Sequence, residues 1–245
     1  MSVLGKVYLV GAGPGAADLI TVRGARLLAQ AEVVLYDALV TPEMLALCAQ
    51  AELVSVGKRS GQRSAAQADI NGQLVDCARR YRTVVRLKGG DPMLFGRADE
   101  ELRALEAEGI EVEIVPGITT AVAAAAATKQ PLTKRGVARS VAFFTSSTAP
   151  DQPDQRIGAP PSLPETDTLV QYMGGREAAA TAERLLAEGR RPDLPVVVVE
   201  NCSRADQRIL RLTLATLAHG LEMAHGPVLV MIGEALARRA HQAPD

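Results

Sequence analysis

The chain has 245 residues, 47% apolar and 22% charged, enough to bury a full core in one large or two modest domains. A formal net charge of -1 argues against a dedicated nucleic-acid or membrane-surface binder, whose footprint is strongly basic, while leaving room for a local basic pocket. Cys48, Cys77 and Cys202 are scattered and odd in number, so no disulfide framework or zinc knuckle is expected, and a reducing cytosol fits. His219, His225 and His241 lack ligand spacing, so no metal is expected either. No apolar run reaches the roughly 18 residues of a membrane span, and Gly5 to Val10 starts a strand at once rather than a signal peptide.

Val7 to Val10 is a short apolar strand followed by Gly11-Ala12-Gly13-Pro14-Gly15, and a helical pattern with Thr21 as N-cap runs to Ala31. Glu32 to Tyr36 is a second strand closed by Asp37; Pro42 opens a short helix to Ala49; Glu52 to Val56 is a third strand ending at Gly57-Lys58-Arg59. Ser64 caps a longer helix to about Tyr81. A fourth strand, Val84 to Lys88, then precedes a helix from Arg97 to Glu108 whose Gly109 sits where a C-terminal cap belongs. Val112 to Val115 is the fifth strand, and the strict alternation predicts a doubly wound, mostly parallel sheet.

After Pro116-Gly117 an alanine-rich helix begins, and the domain boundary is placed there, giving 1–117 and 118–240 with 241–245 as a tail. Strands are expected at 140–145, 168–173, 195–199, 207–212 and 228–232, with 207–212 the most exposed because polar and apolar residues alternate. Helices are expected at 176–188 and 214–223. Ser146 to Glu165 is polar and proline-rich and reads as an excursion without regular structure.

The most informative stretch is Lys88-Gly89-Gly90-Asp91-Pro92, where a buried strand breaks into two glycines, an acid and a proline. Backbone there must approach something closely, and Pro92 holds Asp91 in an extended conformation. Ligands of doubly wound sheets sit at the carboxyl ends of strands where the strand order reverses, commonly between the first strand and the fourth. Both glycine-rich loops follow those two strands, so each strengthens the ligand reading of the other. Gly11, Gly13 and Ala16 satisfy a dinucleotide pattern with Asp37 about 20 residues on, which keeps a nucleotide-dependent oxidoreductase open. Against it, Pro14 removes a loop N–H and Asp91 disfavours a diphosphate, whereas a neutral or cationic adenosyl ligand accepts both.

Val7 to Thr21, Tyr36-Asp37, Val56 to Arg59, Val84 to Arg97, Val115 to Thr119, Tyr172-Met173-Gly174 and Val199-Glu200-Asn201 together resemble the uroporphyrinogen-III C-methyltransferases, of the tetrapyrrole methylase family. The resemblance covers nearly the whole chain in order. It implies two α/β domains, a mostly parallel five-stranded N-terminal sheet and a mixed C-terminal sheet, with a ligand cleft between them in a homodimer. It also implies S-adenosyl-L-methionine as methyl donor, S-adenosyl-L-homocysteine as product, no metal, and a tetrapyrrole substrate methylated twice to precorrin-2. Position by position, the resemblance makes Pro14, Gly89, Gly90, Asp91, Leu94, Thr119, Thr120, Met173 and the backbone at Cys202 cofactor contacts. Asp37 and Lys58 match a proton acceptor and donor. Arg97, also considered as a base, matches a substrate-contacting position, as do Glu100 and Arg135.

Other readings stay open: methylation of a later corrin precursor, or a non-catalytic tetrapyrrole-binding protein. The latter is motivated by departures around Arg135, where Lys134 replaces a His and Gly136 an acid. Further departures are Ala38, Ala98, Asp99, Ser146, Ser147 and Cys202, most of them on the substrate side. A substrate with eight carboxylates gives Lys58, Arg59, Arg63, Lys88, Arg97, Lys134, Arg135 and Arg139 a common purpose in lining one cleft. Because the first strand begins almost at once, the dehydrogenase and chelatase activities of fused relatives are not expected.

Overall fold

The structure, a computed structural model, describes residues 4–56, 67–146, 163–222 and 225–238. The chain divides into two compact units, residues 1–120 and 121–245, described separately below. The first contains strands β1 (Lys6–Gly11), β2 (Val33–Tyr36), β3 (Glu52–Ser55), β4 (Thr83–Lys88) and β5 (Val112–Val115). Its helices are α1 (Val22–Gln30), α2 (Pro42–Leu45), α3 (Gln67–Arg80) and α4 (Ala98–Ala107). The sheet order is β3-β2-β4-β1-β5 and every pair is parallel.

That order follows from two runs of crossovers. From β1 the chain steps to β2 and β3 on one side; from β3 it returns to β4 and then passes over β1 to β5. Since such crossovers are right-handed, reversing direction moves the connecting helices to the opposite face, and the reversal lies between β1 and β4. The packing agrees. Leu28 of α1 and Met44 of α2 pack with Val85 and Leu87, while Leu74 of α3 and Leu105 of α4 pack with Val84 on the other face.

Local signals account for most boundaries. Thr21 Oγ1 accepts the Gly24 N–H at 3.1 Å and caps α1. α2 ends earlier than the periodicity suggested, because beyond Ala46 the chain tightens into i→i−3 bonds, Leu47 N–H to Met44 O and Cys48 N–H to Leu45 O. Gly109, at φ 67°, closes α4 while the Ile110 N–H returns to Leu105 O. The predicted Ser64 cap lies outside the described residues.

The second unit holds α5 (Thr120–Thr128), β6 (Val141–Thr145), β7 (Thr168–Tyr172), α6 (Ala178–Ala187), β8 (Pro195–Glu200), β9 (Arg208–Thr213), α7 (Leu214–Ala218) and β10 (Val228–Gly233). Its sheet runs β6-β7-β10-β8-β9; β6 and β7 are parallel and the remaining pairs antiparallel, so the sheet is mixed. Central β10 is buried along its whole length, and β9, the edge strand read as exposed from its alternation, has no fully buried residue. α6 and α7 cover one face and α5 packs on the other. α7 stops at Ala218 because the His219 and Gly220 N–H groups turn back to Thr216 and Leu217 carbonyls, with Gly220 at φ 92°. Residues 147–162, within the predicted irregular excursion, and 239–245 lie outside the described residues. Among the described residues no helix is long and apolar enough to cross a membrane.

Candidate functional site

At the β1/β4 reversal the two glycine-rich loops are joined to each other. Ala12 N–H donates to Lys88 O at 2.8 Å, Gly13 N–H to Gly90 O at 3.1 Å, and Gly90 N–H to Gly13 O at 2.7 Å. The loop after β5 closes against both. A Cβ on Gly11 would stand 2.5 Å from Gly117 Cα and 2.7 Å from Gly90 O, and a Cβ on Gly117 would fall on Gly90 O. Much of the glycine requirement read from the sequence is therefore backbone meeting backbone across three strand ends.

Asp91 ties the same loops together. Its Oδ1 accepts the Met93 N–H and its Oδ2 the Gly117 N–H, each at 2.9 Å. The carboxylate thus braces the β4 loop against the β5 loop from within. Gly90 differs from its neighbours: its φ is 68°, and an added Cβ would meet nothing within 4 Å. Here the cradle is open, as a ligand-facing position requires, while Gly89 is backed by the Leu39 side chain, 2.9 Å from where its Cβ would lie. Pro14, Leu94, Thr119 and Thr120 flank these loops and are half-buried.

Asp37 ends β2 one strand away. Its Oδ1 accepts the Leu39 N–H at 2.9 Å, and its Oδ2 lies 3.5 Å from the Gly89 N–H and 3.9 Å from Arg86 Nη2. Behind it sits a buried ionic cluster. Glu101, fully buried, accepts Arg86 Nε at 3.0 Å and Lys88 Nζ at 2.7 Å. Burial, then the Arg86 charge, push the Lys88 ammonium below the ordinary lysine range, while Glu101 and Asp37 oppose them. Lys88, read from the sequence as one of the cations lining a substrate cleft, instead points into the protein, because alternation along β4 puts it on the same face as Val84 and Arg86.

Arg97 and Glu100 form a two-pronged pair, Nε to Oε1 at 2.7 Å and Nη2 to Oε2 at 2.8 Å, both side chains partly exposed. Arg97 precedes α4 in the left-handed region at φ 54°, as does Phe95 at φ 53°. Non-glycine residues rarely adopt this region, and they concentrate where geometry serves function.

In the second unit Met173 follows β7 at φ 56° and is half exposed, and Asn201 follows β8 at φ 51°. The Cys202 side chain is buried, and burial pushes its thiol up to about 11. Arg135 is exposed in a tight turn closed by reciprocal Lys134–Ala138 backbone bonds of 2.8 Å, with Gly136 at φ 76°. Lys58, with Arg59 and Arg63, lies outside the described residues.

Sequence reasoning missed Arg86 and Glu101. A signal was present: Ala98, Glu101 and Leu105 follow helical spacing and are the buried positions of α4, so an acid stood in an inward stripe opposite two cations spaced i, i+2 on a buried strand.

The chain belongs to the tetrapyrrole methylases: residues 6–218 match the family described as Tetrapyrrole (Corrin/Porphyrin) Methylases. Among curated relatives, a siroheme synthase of Tolumonas auensis is 48% identical over 236 residues, and siroheme synthase 1 of Yersinia pseudotuberculosis is 46% identical over 232. The alignments take in 95% and 94% of this chain but 50% and 49% of those proteins, so the chain spans about half the length of these relatives. Among solved structures, uroporphyrin-III C-methyl transferase from Thermus thermophilus complexed with S-adenyl homocysteine superimposes with a TM-score of 0.80 at 40% identity. That match covers 94% of this chain and 98% of that one. A cobalt precorrin-4 methyltransferase gives 0.78 at 30% identity, over 95% and 96%.

Proposed function

We propose that this chain is an S-adenosylmethionine-dependent C-methyltransferase that methylates uroporphyrinogen III twice, giving precorrin-2. The observation that carries this reading is the pair of joined strand-end loops with an open position at Gly90, in a chain 40% identical to a methyltransferase solved with S-adenyl homocysteine. The residues fit an adenosyl ligand: a cradle open at Gly90, and half-buried Pro14 and Leu94 beside it, with Thr119 and Thr120 on the third loop. Gly89, Asp91, Met173 and the Cys202 backbone complete the proposed contacts. When bound, the sulfonium supplies an electrophilic methyl group.

The protein's own residues then position, shield and manage a proton. C-methylation of an electron-rich pyrrole carbon leaves a ring that must lose a proton, and Asp37, a half-exposed carboxylate at a strand end, is the proposed acceptor with Lys58 as donor. Arg97, Glu100 and Arg135 are assigned to the substrate. Lys134 and Arg139, close to Arg135 in the sequence, add positive charge suited to a polycarboxylate. The protein is proposed to act in the cytoplasm as a homodimer, without metal, nucleic-acid or membrane partners.

Incubating the protein with uroporphyrinogen III and S-adenosylmethionine should give a product heavier by two methyl groups, through a monomethylated intermediate. No mass gain beside an active control enzyme would sink the proposal. The likeness to a cobalt precorrin-4 methyltransferase favours one second reading, methylation of a later corrin precursor, which a panel of precorrins would separate.

A further inference from the structure

We propose that Arg86, held by Glu101, is a positioning residue for Asp37, and that with Lys88 these side chains form a buried electrostatic frame for the proton acceptor. The inference rests on the proposed role of Asp37. A parallel-sheet strand covered on both faces is ordinarily a run of branched apolar residues. β4 instead carries two cations at its carboxyl end, Arg86 at 4% exposure and Lys88 at 3%, beside the strand reversal. Ionic groups this deeply buried contribute little net stability, because desolvation offsets their attraction, and an apolar replacement of similar volume often does as well.

Geometry points to what the cluster does. Three hydrogen bonds hold the Arg86 guanidinium: Nε donates to Glu101, and Nη1 donates to the carbonyls of Leu87 at 3.0 Å and Leu35 at 3.5 Å. A planar fork restrained there has no rotational choice for Nη2, which faces Asp37 Oδ2. Glu101 is itself set by Lys88, whose Cε lies 3.1 Å from where a Cβ on Gly96 would stand, so the loop leading into α4 bears on the same cluster. Adjacent residues of that helix then serve two purposes. Glu100 pairs outward with Arg97, and Glu101 pairs inward with Arg86, linking the proposed substrate contacts to the proposed base through a single helical turn.

Four single variants in the full chain test this, Arg86→Met, Arg86→Lys, Glu101→Gln and Asp37→Asn, with the Arg86→Met/Asp37→Asn double variant; Glu101→Gln should lower kcat in the same direction as Arg86→Met. Methyl transfer to uroporphyrinogen III, KM for both substrates, S-adenosylhomocysteine affinity and the unfolding midpoint are measured. Asp37→Asn should lower kcat by about a hundredfold, the lower end of what a general base contributes. Arg86→Met should lower kcat at least about tenfold with KM and S-adenosylhomocysteine affinity within about twofold, and should add little to Asp37→Asn in the double variant. Arg86→Lys, which keeps the charge but not the fork, guards against loss of folding. It should keep the wild-type unfolding midpoint and S-adenosylhomocysteine affinity and still not recover kcat. If Asp37→Asn keeps its kcat, the assignment of Asp37 fails first. If Asp37→Asn loses activity while the Arg86 variants change only stability or KM, or multiply fully with Asp37→Asn, the positioning role is overturned.

Discussion

Replacing Asp91 by alanine removes the acceptor of two backbone N–H groups without touching the glycines beside it. A hydrogen bond to a charged acceptor is worth about 1.5–3 kcal/mol when shielded and less when water can replace it. The Gly117 N–H is partly buried and the Met93 N–H exposed, so about 1.5 and about 0.5 kcal/mol are reasonable for the two, or about 2 kcal/mol together. For a chain of this size that lowers the unfolding midpoint by about 4–8 °C. Because the lost bonds hold the Gly89-Gly90 loop against Gly117, the same 2 kcal/mol should weaken S-adenosylhomocysteine by up to about thirtyfold. Calorimetric titration and thermal unfolding on the same preparations measure both, and Asp91→Asn, which retains one acceptor oxygen, should fall between. An unfolding midpoint within about a degree of wild type and an affinity within about twofold would refute the bracing role of this carboxylate.

Gly90→Ala should fold, at a cost of about 1–2 kcal/mol for its left-handed backbone, and lose S-adenosylhomocysteine affinity well beyond that; unchanged affinity would remove Gly90 from the binding face. Gly11→Ala, whose Cβ meets backbone rather than open space, should cost more stability than Gly90→Ala in urea unfolding. Arg97→Ala should reduce product formation while leaving S-adenosylhomocysteine binding within about twofold, since Arg97 pairs with Glu100 at the start of α4. Burial raises the Cys48 and Cys202 thiols from 9.0 to about 11, so at pH 8 their thiolate fraction falls from about a tenth to about a thousandth. A thiol reagent should therefore modify these two cysteines at least about a hundredfold faster in unfolded than in native protein, and rapid native modification of Cys202 would contradict its inward placement.

The sheets were legible because strands and loops carry strong local signals. Val84 to Lys88 followed by Gly89-Gly90 announced a strand and its end, and the alternation of elements required parallel pairing. The partnership of the two glycine loops was legible from topology alone. What the sequence hid was direction: nothing local distinguishes a cation at a strand end that faces a cleft from one that turns inward. Lys88 was assigned to the wrong side for that reason, and only Glu101 on the facing helix decides it. The shortening of α2 was equally hidden, since it ends where the chain tightens toward the next strand rather than at a helix-breaking residue, whereas Gly220 marks the end of α7.

The joined loops also bear on how fast and how tightly a ligand is captured. A binding surface whose Gly13 and Gly90 amides are already paired behaves as an extension of the sheet, so little ordering entropy remains to oppose association. Those two amides should exchange hydrogen with solvent slowly even without ligand, at rates closer to those of neighbouring β1 and β4 than to those of a loop.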